Sequence, residues 1–340
     1  MQISRGLKKT FDYALGSFIC SLITITLNVL CIAFIKMSAV GMLLATFIGN
    51  VVCCIYLFFK LEINKYLSLS SVNKKTLLNE LKYSIPLIPN QLSLWVMNSS
   101  DRLIVSFILG TAANGILAVS HKFPAIFMTF FNIFQLAWHE TGTVHFFDKD
   151  RDDFFSKTIE EIMLLFSTLC MCIIIVLPIV FNLFVNSSYN EAYYNIPIYL
   201  IASLLNVMVG LLGVVYVATK KTFEIAKTTI IAALINIIVN IILIKYIGLY
   251  AASISTFMGY FITMIYRIID TKKYLNIKYS LYKYVKIIVG ILFSTIIYYI
   301  NNKLISIITL PFFICIALWV NKDYIVLIKK LIKGKIKLNE

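Results

Sequence analysis

Unbroken apolar runs alternate with short polar stretches along this chain, the runs falling at residues 12–35, 37–59, 85–110, 112–138, 159–183, 196–218, 228–247, 248–269, 285–302 and 304–320. Each is long enough to cross ~30 Å of hydrocarbon as a helix, and lipid tolerates helices because they satisfy their own backbone N–H and C=O groups. The pattern predicts an all-α, polytopic membrane helix bundle of about ten transmembrane helices. The longest interval between runs, residues 60–84, is too short for a separate catalytic domain. Chemistry is confined to the bilayer or its surface.

Composition agrees. The 340 residues are 60% hydrophobic and 14% charged, with a mean hydropathy of +0.88, against roughly 45–50% apolar residues in soluble domains. The first run follows Arg5, Lys8 and Lys9 and lacks a small-residue cleavage site, so it reads as a span and not a removable signal. All seven cysteines lie in apolar runs, where a thiol behaves as a small hydrophobe. Neither Cys53/Cys54 nor Cys170/Cys172 has the spacing of a zinc set. No disulfide, metal or cofactor is expected.

Alternating the spans places every Lys and Arg at one membrane face except Lys36, Lys245 and Lys303 at the other and Arg102 and Lys122 inside spans. Cationic loops stay cytoplasmic, so the chain is expected to be a multi-pass protein of the cytoplasmic (inner) cell membrane with both termini inside. The net charge of +15 is then a topology signal, and nucleic acid is excluded as a partner for want of a soluble basic module. The last stretch, "NKDYIVLIKKLIKGKIKLNE", sets Ile and Leu among Lys329, Lys330, Lys333, Lys335 and Lys337. A helix on the anionic inner leaflet and an ordinary basic tail both fit it.

Set against itself at an offset of 210, "SAVGMLLATFIGNVVCCIY" from Ser38 aligns without gaps to "GLYAASISTFMGYFITMIY" from Gly248. Small residues recur four apart in both copies, Gly41, Ala45 and Gly49 in one and Ala251, Ser255 and Gly259 in the other. Such spacing lets helices approach closely in lipid. Both copies are even-numbered spans, as expected of parallel repeats about an axis along the membrane normal. The second and eighth spans then correspond, and four helices are expected to be missing upstream of Met1.

The third and fourth spans carry polar faces. In the third, Asn90, Gln91, Asn98, Asp101, Arg102 and Ser106 share one arc, with Leu92, Val96, Leu103 and Phe107 opposite. In the fourth, Asn114, His121, Met128, Asn132, Gln135 and His139 form a stripe opposite Phe123, Phe127, Phe130 and Phe134. An ionisable group at the bilayer centre costs at least ~2.5–3.5 kcal/mol, so these faces are expected to line an interior or a water-filled cavity. Adjacent helical residues point about 100° apart, so Asp101 and Arg102 need partners elsewhere. Counting 1.5 Å per residue from the turn near 110–112 puts Asp101 and Lys122 at similar depth, and the two are expected to pair across the hairpin. Arg102, with His121 and Lys122, is left as a cationic set suited to an anionic ligand such as a phosphate. The alternative, a polar network that only closes helix interfaces, stands beside it. Pro86, Pro89 and Pro124 are candidate movable kinks.

The block "YSIPLIPNQLSLWVMNSSDRLIVSFILGTAANGILAVSHKFPAIFMTFFNIFQLAWHE" resembles the bacterial polysaccharide-biosynthesis membrane proteins, the O-antigen and capsule flippases of the multidrug/oligosaccharidyl-lipid/polysaccharide exporter superfamily. The resemblance rests on Pro86 to Pro89, the serines before Asp101-Arg102, Gly115, His121-Lys122 and Gln135-Leu-Ala137-Trp138. It extends to "RGLKKTFDYALGSF" and "NIIVNIILIKYIGLYAA", which are similar to the family's fifth and eleventh spans.

The resemblance implies a two-lobed transporter that moves a polyprenyl-pyrophosphate-linked oligosaccharide (an O-antigen, capsule or exopolysaccharide repeat unit) from the cytoplasmic to the outer leaflet by alternating access. In that scheme residues 1–60 are the last two spans of an incomplete N-terminal lobe, 61–84 a cytoplasmic linker, 85–270 a six-helix C-terminal lobe, and 271–340 two extra spans with a basic tail. The implied partners are the lipid-linked oligosaccharide, the bilayer and other glycan-assembly membrane proteins. The expected substrate-cavity residues are Arg102, Lys122 and His121 as cations, Asp101 as their counter-charge, and Asn98, Gln91, Asn132 and Gln135. Three rivals remain open: an inactive or partial flippase, a membrane polymerase or ligase of the same glycan pathway, and a small-molecule exporter of the same superfamily. The ligase reading is disfavoured by the outer loop "VNSSYNEAYYN", whose single acid is Glu191. An enzyme is not expected.

Overall fold

The computed structural model describes residues 2–7, 9–37, 39–66, 73–85 and 87–322, and holds helices and no strand among them. The lysines of the terminal stretch from Lys329 onward, and Pro86, lie outside the described residues. The helices are α1 (Gln2–Gly6), α2 (Thr10–Val29), α3 (Ala39–Lys60), α4 (Lys74–Ser84), α5 (Leu87–Ile108), α6 (Thr111–Ser120), α7 (Lys122–His145), α8 (Arg151–Phe184), α9 (Glu191–Ala218), α10 (Thr222–Ile247), α11 (Tyr250–Asp270), α12 (Leu281–Ile300) and α13 (Lys303–Val320).

Among the described residues the predicted runs coincide with helices, 12–35 passing from α2 into a π-helical turn at Leu30–Phe34 and 112–138 divided between α6 and α7. Among the described residues eight helices are long and apolar enough to cross a membrane, nine if α6 and α7, bent by 42°, count as one span. The exception is α5, which has the length, 22 residues, but carries Asn, Gln, Ser, Asp and Arg that lower its hydropathy. It is held instead by its neighbours α10 and α11. The break between α6 and α7 falls at His121, one turn ahead of Pro124. Proline has no N–H to give the preceding turn and its ring crowds that turn's carbonyl, which accounts for the bend.

The chain divides into two compact units, Met1–Asn79 and Glu80–Glu340. In the first, α2 packs along α3. Gly41, Ala45 and Gly49 all face inward, and Cys53, Leu57 and Leu61 continue the same buried line. A β-carbon on Gly16 would touch Leu57 and Cys53, so its absence sets the close approach.

In the second unit α9 is the central post, buried along most of its length and packed by α7, α8 and α11. The core between these helices is aromatic: Phe127, Phe131, Trp138, Phe155 and Phe166 interlock edge to face or nearly so, and Trp138 Nε1 donates to the Leu211 carbonyl at 3.0 Å. Such aromatic pairs add ~0.5–1.5 kcal/mol each beyond the area they bury. On its other side α8 carries α12 and α13. The end of α12 is fastened to the start of α9 by a reciprocal pair, Tyr193 Oη donating to the Tyr298 carbonyl at 3.0 Å and Tyr298 Oη to the Tyr193 carbonyl at 2.6 Å, the rings stacked at 4.1 Å.

Candidate functional site

A cavity of about 530 Å³ opens inside the second unit between α5, α7, α9, α10 and α11. From α7 come Met128, Asn132, Gln135 and His139, residues spaced four, three and four apart and therefore on one helix face. Gln91 of α5 and Asn206 of α9 add further amides. Thr229 of α10, with Tyr260, Thr263 and Arg267 of α11, closes the remaining wall.

Two glycines on α9 make room for the polar groups. A β-carbon on Gly210 would sit 2.9 Å from Gln135 Nε2 and 2.8 Å from the Phe131 ring, and one on Gly213 would sit 2.9 Å from an Arg267 guanidinium nitrogen. Substituting Gly213 by alanine therefore has to push the guanidinium aside. Overpacking of this kind costs typically about 1–3 kcal/mol. The expected result is a lower unfolding midpoint for Gly213→Ala in detergent; an unchanged midpoint would mean that Arg267 is not held against α9.

Arg267 is the cation of this site. It is 4% exposed. Its Nη1 donates to the Val209 carbonyl at 2.8 Å, and its Nη2 and Nε donate to Thr228 Oγ1 at 2.8 and 3.2 Å. The Tyr216 ring lies 5.7 Å from the guanidinium carbon. Among the described residues no carboxylate lies within ion-pair distance of Arg267; the nearby Asp270 is taken by Tyr216 at 2.9 Å and Lys273 at 2.6 Å. A guanidinium held by neutral acceptors at a cavity wall keeps its charge available to an anion, which Arg engages in bidentate fashion.

The charges singled out in the sequence lie elsewhere. Asp101 does not pair with Lys122. It is 1% exposed and accepts from Asn240 Nδ2 and Thr256 Oγ1, both at 2.8 Å, with Ser255 Oγ at 3.5 Å. Ser100 Oγ donates to Asn236 Oδ1 at 2.9 Å, and Asn236 Nδ2 reaches Ser255 and Thr256 at 3.2 Å, so α5, α10 and α11 are tied by one polar network. Among the described residues Asn240 Oδ1 is buried there without a partner. The face read as one polar arc on α5 is thus two faces. Of its members Asp101 is buried, as are Ser93 and Ser100 outside the arc, while Gln91 and Arg102 are exposed.

Arg102 and Lys122 are both exposed and neither lines the cavity. His121 sits at the α6–α7 break with its ring 4.2 Å from that of Tyr199; its Nε2 and the Tyr199 hydroxyl are buried without partners among the described residues. The side chains of Asn90 and Asn98 lie outside the described residues. Of the expected set, Gln91, Asn132 and Gln135 meet at the cavity. Sequence reasoning missed Arg267, which it had placed among the basic loops.

No protein-family model matches the chain, and no curated protein matches it. Two solved structures resemble it. The lipid II flippase MurJ in an inward closed conformation superposes with a TM-score of 0.65 over 93% of this chain, at 16% identity. A crystal structure of MATE in complex with MaL6 superposes with a TM-score of 0.61 over 81% of this chain, at 14% identity. All three share one fold. This chain covers 62% of the MATE chain and 68% of the MurJ chain. At these identities the likeness bears on architecture, and it agrees with the all-helical membrane bundle that the apolar runs predict.

Proposed function

We propose that the protein moves a lipid-linked oligosaccharide from the cytoplasmic to the outer leaflet of the cytoplasmic membrane by alternating access, with the cavity of the second unit taking the polar part of the substrate. The observation that carries this reading is the Arg267 guanidinium, buried at the wall of an amide-rich cavity with no carboxylate among the described residues to neutralise it. A polyprenyl pyrophosphate joined to sugars offers phosphate oxygens to that cation and hydroxyls to Gln91, Asn132, Gln135 and Asn206. The cavity volume falls within the ~300–1,000 Å³ range of ligand pockets.

Arg102 and Lys122 belong to the same reading as cations on a wetted surface, since an exposed charge in mid-span is tolerated against water and not against acyl chains. Residues 1–60 are taken as the end of one lobe and 85–270 as the second, with both termini on the cytoplasmic side. The fold shared with a lipid II flippase supports a lipid-linked substrate; the fold shared with a MATE protein keeps a small-molecule exporter as the second reading.

The test is flipping in vesicles. The full chain is reconstituted with a fluorescent polyprenyl-pyrophosphate oligosaccharide, and dithionite is added outside. Bleaching of the inner-leaflet label beyond that in protein-free vesicles is expected. Label that stays protected, in vesicles where the same chain releases a trapped cationic dye, would favour the second reading.

A further inference from the structure

We propose that α4 is a membrane-surface helix that lies on the cytoplasmic leaflet and binds anionic phospholipid headgroups through Lys75 and Lys82. The helix starts where the Asn73 side chain accepts from the Lys75 N–H at 2.9 Å. Leu77, Leu78 and Leu81, with Ile85 just beyond the last turn, fall within one ~100° arc at 100° per residue. They are 50%, 55%, 42% and 56% exposed, so no described residue covers them. Lys75 and Lys82 lie together along the Leu78 edge of the stripe, Lys74 falls within the arc at its N-terminal end and Glu80 lies beyond the Leu77 edge; all four are exposed.

Length and tether leave one placement. Eleven residues make a helix too short to cross a bilayer, which needs about twenty. Two residues separate Ser84 from the start of α5, so the end of α4 stays within about 10 Å of a membrane-embedded helix. A narrow apolar stripe with lysines along one edge and at its N-terminal end, held at that depth, fits an interfacial helix whose lysine stems follow the apolar boundary while the ammonium groups reach the headgroups. The leaflet supplies the complementary sign, because anionic lipids draw juxtamembrane lysines. The alternative occupant within the chain, the stretch 323–340, is itself basic and would meet Lys75 and Lys82 with like charge.

Spin labels on single cysteines at positions 76, 78 and 81 of an otherwise cysteine-free full chain, in phosphatidylcholine vesicles with and without phosphatidylglycerol, test both parts of the proposal. Labels at 78 and 81 are expected to be open to oxygen and closed to a water-soluble nickel complex, with the reverse at 76. Phosphatidylglycerol is expected to move 78 deeper, and Lys75→Gln with Lys82→Gln to abolish that shift. Equal nickel access at 76 and 78, or a label at 78 that neither reagent reaches, would overturn the surface placement, the latter by showing protein packed on the stripe. A depth at 78 indifferent to phosphatidylglycerol would overturn headgroup binding. Should the cysteine-free chain not fold, hydrogen exchange of α4 in the unaltered chain gives the same decision: slower with phosphatidylglycerol is expected, and equal rates contradict.

Discussion

Replacing Asp101 by alanine should lower the stability of the second unit by about 2–4 kcal/mol, because burying a donor without its acceptor costs ~1–3 kcal/mol and a small cavity adds to it. The loss concentrates on Asn240. Thr256 also donates to the Ala252 carbonyl at 3.0 Å and can fall back on it, whereas among the described residues Asn240 Nδ2 has the Asp101 oxygen alone and its Oδ1 is already unpartnered. Asp101→Asn should cost less, since the carbonyl oxygen of asparagine can still accept from Asn240 or Thr256. Lys122→Ala, on an exposed residue, should stay within about 0.5 kcal/mol of the parent. Unfolding midpoints in detergent distinguish this from an ion pair across the hairpin, for which the Asp101 and Lys122 variants would fall together.

Arg267→Gln should reduce flipping of the pyrophosphate-linked substrate by on the order of 10- to 100-fold, the effect of losing one hydrogen bond to a charged group worth ~1.5–3 kcal/mol. Glutamine can still donate to Thr228 or the Val209 carbonyl, so the wall is kept while the cation is removed. Arg267→Lys should recover part of the activity: it restores the charge but cannot span Val209 and Thr228 at once. Parallel unfolding midpoints separate the two roles. A Gln variant that is folded and flips at the parental rate would remove Arg267 from substrate handling; one that is merely unstable would show a lowered midpoint matching its lost activity.

The spans were legible because apolarity over twenty residues is a one-dimensional signal that survives without a fold. So was the close packing at Gly41, Ala45 and Gly49, since spacing by four selects one face of a helix. Partner choice was not legible. Counting depth from the turn at 110–112 assumes a straight hairpin, and the 42° break at His121 turns α7 off that line. The groups that do satisfy Asp101 come from α10 and α11, at Asn240 and Thr256, a distance along the chain that no wheel of one helix reveals.

Arg267 escaped for a related reason. Counted as a loop charge, it looked like one more cytoplasmic cation. A usable signal was present, for Ala251, Ser255, Gly259, Thr263 and Arg267 follow one another at intervals of four, and all are buried on the same face of α11. A line of small and hydroxyl residues that ends in arginine points that arginine inward. The same logic separates Gln135 from its neighbour on α7: Gln135 lines the cavity, while Ile126, Phe130 and Ile133 form an exposed apolar stripe suited to acyl chains.

Water in that cavity is what the whole account rests on, and thiol modification measures it most directly. In vesicles holding an otherwise cysteine-free full chain, cysteines placed at Gln135 and Asn206 should react with a charged, membrane-impermeant methanethiosulfonate, while one at Ile133, 65% exposed on the apolar stripe, should not. Protection at 135 and 206 together with modification at 133 would contradict it.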